Sequence, residues 1–185
     1  MNQLGTFKLH KNSKLKNGNY LLDTNIFLYL LDDIQQKNDP GYSDIIYESN
    51  NLEGVNFFVD IYIISEFINR NLRNSGYAYA KKNNISKYNY KRDYRSTVDF
   101  EETYEYSLDL VKNDILTLCN MSKSLDRDYL MGAIDNPQAK DFNDQLIIND
   151  AVQNDLNIIT HDRDYFKLKS INPDLPAMYT LGKLK

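Results

Sequence analysis

Between Tyr20 and Leu31 the chain switches from a strand-like to a helix-like apolar pattern within one residue, and that residue is an aspartate. Tyr20-Leu21-Leu22 is a short apolar run introduced by the turn signal Asn17-Gly18-Asn19, and it reads as a buried strand. Thr24 and Asn25 are natural N-cap residues. From Asn25 to Asp33 the apolar residues Ile26, Phe27, Leu28, Leu30 and Leu31 form a helical face. Asp23 therefore stands at the carboxyl end of a strand, where open α/β sheets gather their ligand chemistry. A lone aspartate there can equally be a helix cap. The question is whether acids distant in sequence reach the same edge.

Asp39-Pro40-Gly41 breaks the chain, and a second helix follows from Tyr42 to Asn50. Residues 55–60, Val-Asn-Phe-Phe-Val-Asp, read as the second strand. Residues 61–70 follow without a turn signal and are rich in β-branched residues, so propensity alone is ambiguous; a helix is expected, with Glu66 on its first or second turn. Glu66 lies between Ile63, Ile64, Phe67 and Ile68, a costly place for an unpaired charge. Residues 75–120 predict a helical hairpin inserted at the edge of the α/β core. A short strand is expected between Leu125 and Ile134. A helix opens at Asp141-Phe142-Asn143-Asp144 and runs to about Asn154, followed by the strand Ile158-Ile159-Thr160 and then His161-Asp162-Arg163-Asp164. Strand, helix, strand in this order signals a parallel sheet. Met178 to Leu181 is expected to be a last edge strand. Residues 1–18 are basic and polar, read as an N-terminal extension that is either a loose tail or an edge hairpin. Residues 19–185 read as one domain.

Composition narrows the class. With 185 residues, 42% hydrophobic and 26% charged, the chain suits one globular domain with a real core. The single cysteine, Cys119, excludes an internal disulfide framework; it fits a reducing, cytoplasmic setting and reads as core. The apolar runs are too short to span a membrane, and the first residues hold no apolar segment typical of a secretory signal. A net charge of −4 is unlike a purely electrostatic nucleic-acid binder. It is compatible with acids concentrated at one site and bases gathered elsewhere.

Four acids occupy related positions. Asp23 ends one strand, Glu66 lies just past another, Asp162 lies two residues past Thr160, and Asp144 lies in the first turn of a helix. Parallel strands share one carboxyl edge, so Asp23, Glu66 and Asp162 can converge there; Asp144 joins them if its helix starts on that side. Converging carboxylates repel unless a cation joins them. Mg²⁺ or Mn²⁺, hard ions that prefer oxygen, would answer this, whereas zinc would call for cysteine or histidine. Two such ions about 3.5–4 Å apart would clamp a phosphodiester. Asp141 and Asp144 share a helix face, so either could be the ligand, and Asp162 competes likewise with Asp164. His161 reads as an exposed loop residue.

Four segments in order, Leu-Leu-Asp-Thr-Asn at 21–25, Ser-Glu at 65–66, Asn-Asp-Gln-Leu-Ile-Ile at 143–148 and Ile-Ile-Thr-His-Asp-Arg-Asp-Tyr at 158–165, make the chain resemble the PIN-domain nucleases, including the VapC-type toxins of toxin–antitoxin pairs. The resemblance implies a Rossmann-like, three-layer α/β fold with a mostly parallel sheet. It implies Mg²⁺- or Mn²⁺-dependent hydrolysis of RNA, with metal-binding acids at Asp23, Glu66, Asp144 and Asp162 and supporting polar groups at Asn25 and Thr160. It also implies a small antitoxin as a protein partner, and dimerisation. Against a typical toxin of that family, the excess length lies in the basic extension and in residues 75–120.

Two other functions fit the same residues: an RNA-processing or structured-DNA nuclease without an antitoxin, and a non-catalytic module that binds nucleic acid. Within the insertion, basic and aromatic residues interleave. Lys81, Lys82, Lys91, Arg92 and Arg95 are candidate RNA contacts, with tyrosines available for stacking. The same pattern also describes a solvated helix face or a dimer contact.

Overall fold

The computed structural model describes residues 5–122, 126–135 and 137–183. Its centre is a six-stranded sheet in the order β1-β6-β5-β2-β3-β4. The strands are β1 (Thr6–Lys8), β2 (Gly18–Leu22), β3 (Val55–Val59), β4 (Asn120–Met121), β5 (Asn157–Ile159) and β6 (Met178–Thr180). Every pairing among the described residues is parallel. The sheet is thus all-parallel rather than mostly parallel. Leu21, Leu22, Ile158 and Ile159 are wholly buried, as strands covered on both faces must be.

The helices are α1 (Thr24–Leu31), α2 (Tyr42–Ser49), α3 (Ile61–Lys82), α4 (Tyr90–Asp93), α5 (Val98–Leu110), α6 (Leu116–Leu118), α7 (Arg127–Asp135), α8 (Phe142–Gln153) and α9 (Arg163–Ile171). A π-helical turn, Val111–Ile115, joins α5 to α6. The β-branched stretch after β3 is helical because Asp60 caps it: its carboxylate accepts from the Ile63 amide at 2.6 Å, and Ile63, Ile64 and Phe67 then face the core. Tertiary burial outweighs local propensity here.

Four expectations need correction. The basic N-terminal segment is neither a loose tail nor a hairpin, since β1 pairs in parallel with β6 and Leu9 and Leu15 are buried in the core. Consequently β6 is an interior strand and β1 is the edge. Between Leu125 and Ile134 the described residues are helical, in α7, and the strand lies earlier, at Asn120–Met121; Leu125 itself is outside the described residues. The insertion does not begin as a separate hairpin at residue 75, because α3 runs unbroken for 22 residues and pairs with α5.

Gly76 lets the segment around α4 close onto α3. A Cβ there would strike the Tyr88 hydroxyl and stand 2.9 Å from the Tyr94 ring. Tyr94 is fully buried and packs against Tyr79, Tyr90 and Phe100. The insertion thus carries a small aromatic core of its own.

Candidate functional site

The register of the sheet brings the first acid to its place. Leu22 pairs with Ile159, so Asp23 and Thr160 leave neighbouring strands side by side. The Asp23 carboxylate is 4% exposed. It accepts from the Thr24 amide at 2.7 Å, from the Thr160 hydroxyl at 2.6 Å and from the Asn25 amide group at 2.5 Å. Asn25 in turn accepts from the His161 amide at 2.8 Å, pinning the loop after β5 to the start of α1. These donors are all neutral. Burial, reinforced by the charges of Glu66 and Asp144, pushes the Asp23 carboxyl up to about 7, against the Thr160 and Thr24 bonds that favour the anion.

Glu66 lies on the second turn of α3. One of its oxygens accepts from the Thr24 hydroxyl at 2.9 Å, and the other faces Arg70, one turn on, at 3.4 Å. Asp144 is half-buried in the first turn of α8, where the hydroxyl of the buried Tyr165 donates to it at 3.2 Å. Burial and the charges of Asp141, Asp162 and Glu66 raise its carboxyl to about 6, opposed by the Tyr165 bond. The four acids therefore feel one another's charge in a chain: Glu66 with Asp23 and Asp144, and Asp144 with Asp162.

The two ambiguous pairs differ in placement. Asp141 is exposed and caps α8, accepting from Asn143 at 2.8 Å, while Asp144 turns towards Tyr165. Asp162 caps α9, and its amide donates to the Thr160 hydroxyl at 2.9 Å, while Asp164 is exposed and pairs with Lys167 at 2.6 Å. His161 is not an exposed loop residue. Its ring is half-buried, set edge-on against Tyr29 and Tyr42, and burial lowers its proton affinity. Cys119 is buried, which raises its thiol.

Thr24 and Tyr165 belong to the site but were not singled out by the sequence. Thr24 reads as an N-cap in the sequence, but Asp23 is the N-cap of α1 and Thr24 its first residue, and the bond from Thr24 to Glu66 requires α1 and α3 to pack together. Tyr165 looks like one more apolar-face residue of a short helix. Asp60 and Asp150 are also buried acids near this edge. Each has one carboxylate oxygen without a hydrogen-bond partner among the described residues.

The five basic candidates are not brought to one place. Arg92 is spent on Asp93 at 2.5 Å and on the Lys87 carbonyl at 3.2 Å. Lys81 and Lys82 are exposed in the last turn of α3. Only Lys91 and Arg95 line a cleft between α3, α4 and α5, where they are joined by Arg73, a residue the sequence did not flag.

No protein-family model matches the chain, and no curated protein matches it. Among solved structures, 88% of the chain aligns with 98% of a chain in the crystal structure of VapBC2 from Rickettsia felis bound to a DNA fragment from their promoter, at 15% identity and a TM-score of 0.51. It also aligns over 86% of its length with 96% of a chain in FitAcB from Neisseria gonorrhoeae, at 12% identity and a TM-score of 0.47. The all-parallel α/β fold is thus shared with the VapBC2 structure. The family membership implied by the four motif segments is corrected: no family model matches, and likeness at 15% identity extends to the fold alone. Among the described residues, no helix is long and apolar enough to cross a membrane.

Proposed function

We propose that the chain is an endoribonuclease that hydrolyses RNA phosphodiester bonds with Mg²⁺ or Mn²⁺, using Asp23, Glu66, Asp144 and Asp162. The observation that carries this reading is the Asp23 carboxylate, buried within the fields of Glu66 and Asp144 and contacted only by neutral donors. Such an arrangement is costly without a cation and is relieved by one. The donor set is all oxygen, which suits a hard divalent ion. Among the described residues, no group of three or more His, Cys, Asp or Glu side chains stands close enough to hold a metal ion, so the reading requires an ion bound partly through its own waters.

When bound, such an ion would neutralise phosphate charge and supply an acidified water. The chain's own part is orientation. Thr160, Thr24 and Asn25 fix both oxygens of Asp23, the Thr24 hydroxyl and Arg70 fix Glu66, and Tyr165 fixes Asp144. Thr160 is fully buried and already committed to Asp23, so the reading needs no covalent nucleophile.

A small antitoxin protein is the partner this reading adds, supported by the fold shared with the VapBC2 structure. A short reading frame directly upstream would be the genomic sign of it.

The test is cleavage of labelled RNAs by the wild type and Asp23→Asn, with Mn²⁺ and with EDTA. Metal-dependent cleavage lost in the variant is the expected result. Equal cleavage by both proteins would overturn the assignment of Asp23.

A further inference from the structure

The cleft between α3, α4 and α5 encloses about 590 Å³. Three cations line it, Arg73, Lys91 and Arg95, together with the rings of Tyr90, Phe100 and Tyr104; no acidic side chain among the described residues does. In a chain of net charge −4 this is a local reversal of sign. None of the three cations makes an ion pair among the described residues, in contrast to Arg70 and Arg92. The two guanidinium groups are set over rings instead. The Arg73 guanidinium stands over Tyr90 at 5.6 Å, and that of Arg95 over Phe100 at 5.9 Å. The Phe100 and Tyr104 rings lie parallel, within 2°. The remaining wall includes Ser65 and Asn69 of α3, which flank Glu66 on the same helix.

We propose that this cleft holds an unpaired stretch of single-stranded nucleic acid, its bases against the Tyr104 ring and the guanidinium planes over Tyr90 and Phe100 and its phosphates on Arg73, Lys91 and Arg95, so that the strand leads along α3 towards Glu66. Cations without ion pairs, set among aromatic rings, are the means by which single strands are held without sequence readout: the backbone meets charge, and bases stack on exposed rings such as Tyr104 or on the guanidinium planes that cover the others. An acidic peptide would use the cations and leave the exposed Tyr104 ring unused. A duplex would keep its bases stacked on one another and out of reach. Only the direction of the strand rests on the nuclease reading; the binding does not.

The experiment is fluorescence anisotropy of a labelled, unstructured oligoribonucleotide in EDTA, repeated over a salt series. Competitors are the same sequence as single-stranded DNA, as an RNA duplex, and poly-glutamate. The variants are Arg73→Gln/Lys91→Gln/Arg95→Gln and the exposed Tyr104→Ala, with far-ultraviolet circular dichroism to check folding. The triple variant is expected to weaken binding about tenfold or more and to flatten its salt dependence. Tyr104→Ala should weaken binding about fivefold or more with the salt slope retained. Single-stranded DNA should compete; the duplex and poly-glutamate should compete poorly. Affinity unchanged in both folded variants would overturn the proposal. So would equal competition by duplex, or poly-glutamate displacing RNA as well as RNA itself does. Wild type that binds as expected but never cleaves with Mn²⁺ would sink the nuclease reading and leave the cleft standing.

Discussion

The Thr160 hydroxyl donates to the Asp23 carboxylate at 2.6 Å, joining the carboxyl ends of β5 and β2 inside the protein. The same oxygen of Thr160 accepts from the Asp162 amide at 2.9 Å, so one hydroxyl sets both the charge of Asp23 and the start of α9. Thr160→Val keeps the shape and removes the bond. The bond favours the Asp23 anion, so its loss should move the acid limb of the metal-dependent pH–rate profile to higher pH. Stability should fall by about 1–2 kcal/mol, since two buried partners lose a hydrogen bond. A rate profile that stays in place, read alongside a urea melt, would count against this role of Thr160.

Asp144 should behave oppositely in stability and in metal response. Its carboxyl is raised to about 6 by burial and by the charges of Asp141, Asp162 and Glu66. Asp144→Asn removes that repulsion and can still accept from Tyr165. In EDTA at pH 8 the variant is expected to melt higher than wild type, by about 0.5–1.5 kcal/mol of stability. Mn²⁺ should raise the melting temperature of the wild type and do so far less in the variant. A Mn²⁺ shift of equal size in both would remove Asp144 from the metal site.

The strand-to-helix switch at Asp23 and the run from Asp141 to Asp164 were legible because each element there is short, apolar and bounded by its own cap or turn. That Asp23, Asp162 and Glu66 lie at one edge of the sheet was an expectation from parallel topology alone. The sequence could not reveal contacts between elements whose packing has no local signal. Thr24 meets Glu66 only after α1 and α3 are packed, and Arg73 joins Lys91 and Arg95 only after α4 folds back on α3. The edge strand β1 was missed because three residues, two half-buried and one exposed, leave too little pattern to read. Motif likeness also reached further than the comparisons allow: the same fold is shown, and membership in a family is not.

Gly76→Ala tests how tightly the insertion is closed. In an exposed helix the change would stabilise by up to about 1 kcal/mol, from helix propensity. Here the added methyl meets the Tyr88 hydroxyl and the buried Tyr94 ring, so the sign should reverse. A loss of about 1–3 kcal/mol is expected from overpacking. Chemical denaturation reads it directly. A more stable variant would mean that α3 and the α4 region do not pack this closely.

Asp60 and Asp150 give the fold a pH dependence separate from the four acids. Asp60 is 5% exposed and Asp150 is 1% exposed, and each has one oxygen without a partner among the described residues. Burial first, then the charge of Glu66, raises Asp60 to about 6 against its bonds to the Ile63 and Tyr62 amides; burial and the charge of Asp60 raise Asp150 to about 7, opposed by Ser122 and Asn154. Tyr129 lies within the field of both. The ordinary carboxyl value is 3.8, so the folded chain binds these protons more tightly than the unfolded chain. Their stabilising contribution is therefore fully present below about pH 4 and is lost as pH rises through about 6 and about 7. Asp150→Asn can still accept from Asn154 and removes the charge that burial and Asp60 disfavour. Metal-free stability of the variant should exceed that of the wild type by about 1–2 kcal/mol at pH 8, with little difference at pH 4.5. Urea melts at the two values would settle it: a variant that is less stable at pH 8, or equally shifted at both, would show that the two carboxyls do not share their protons in the fold.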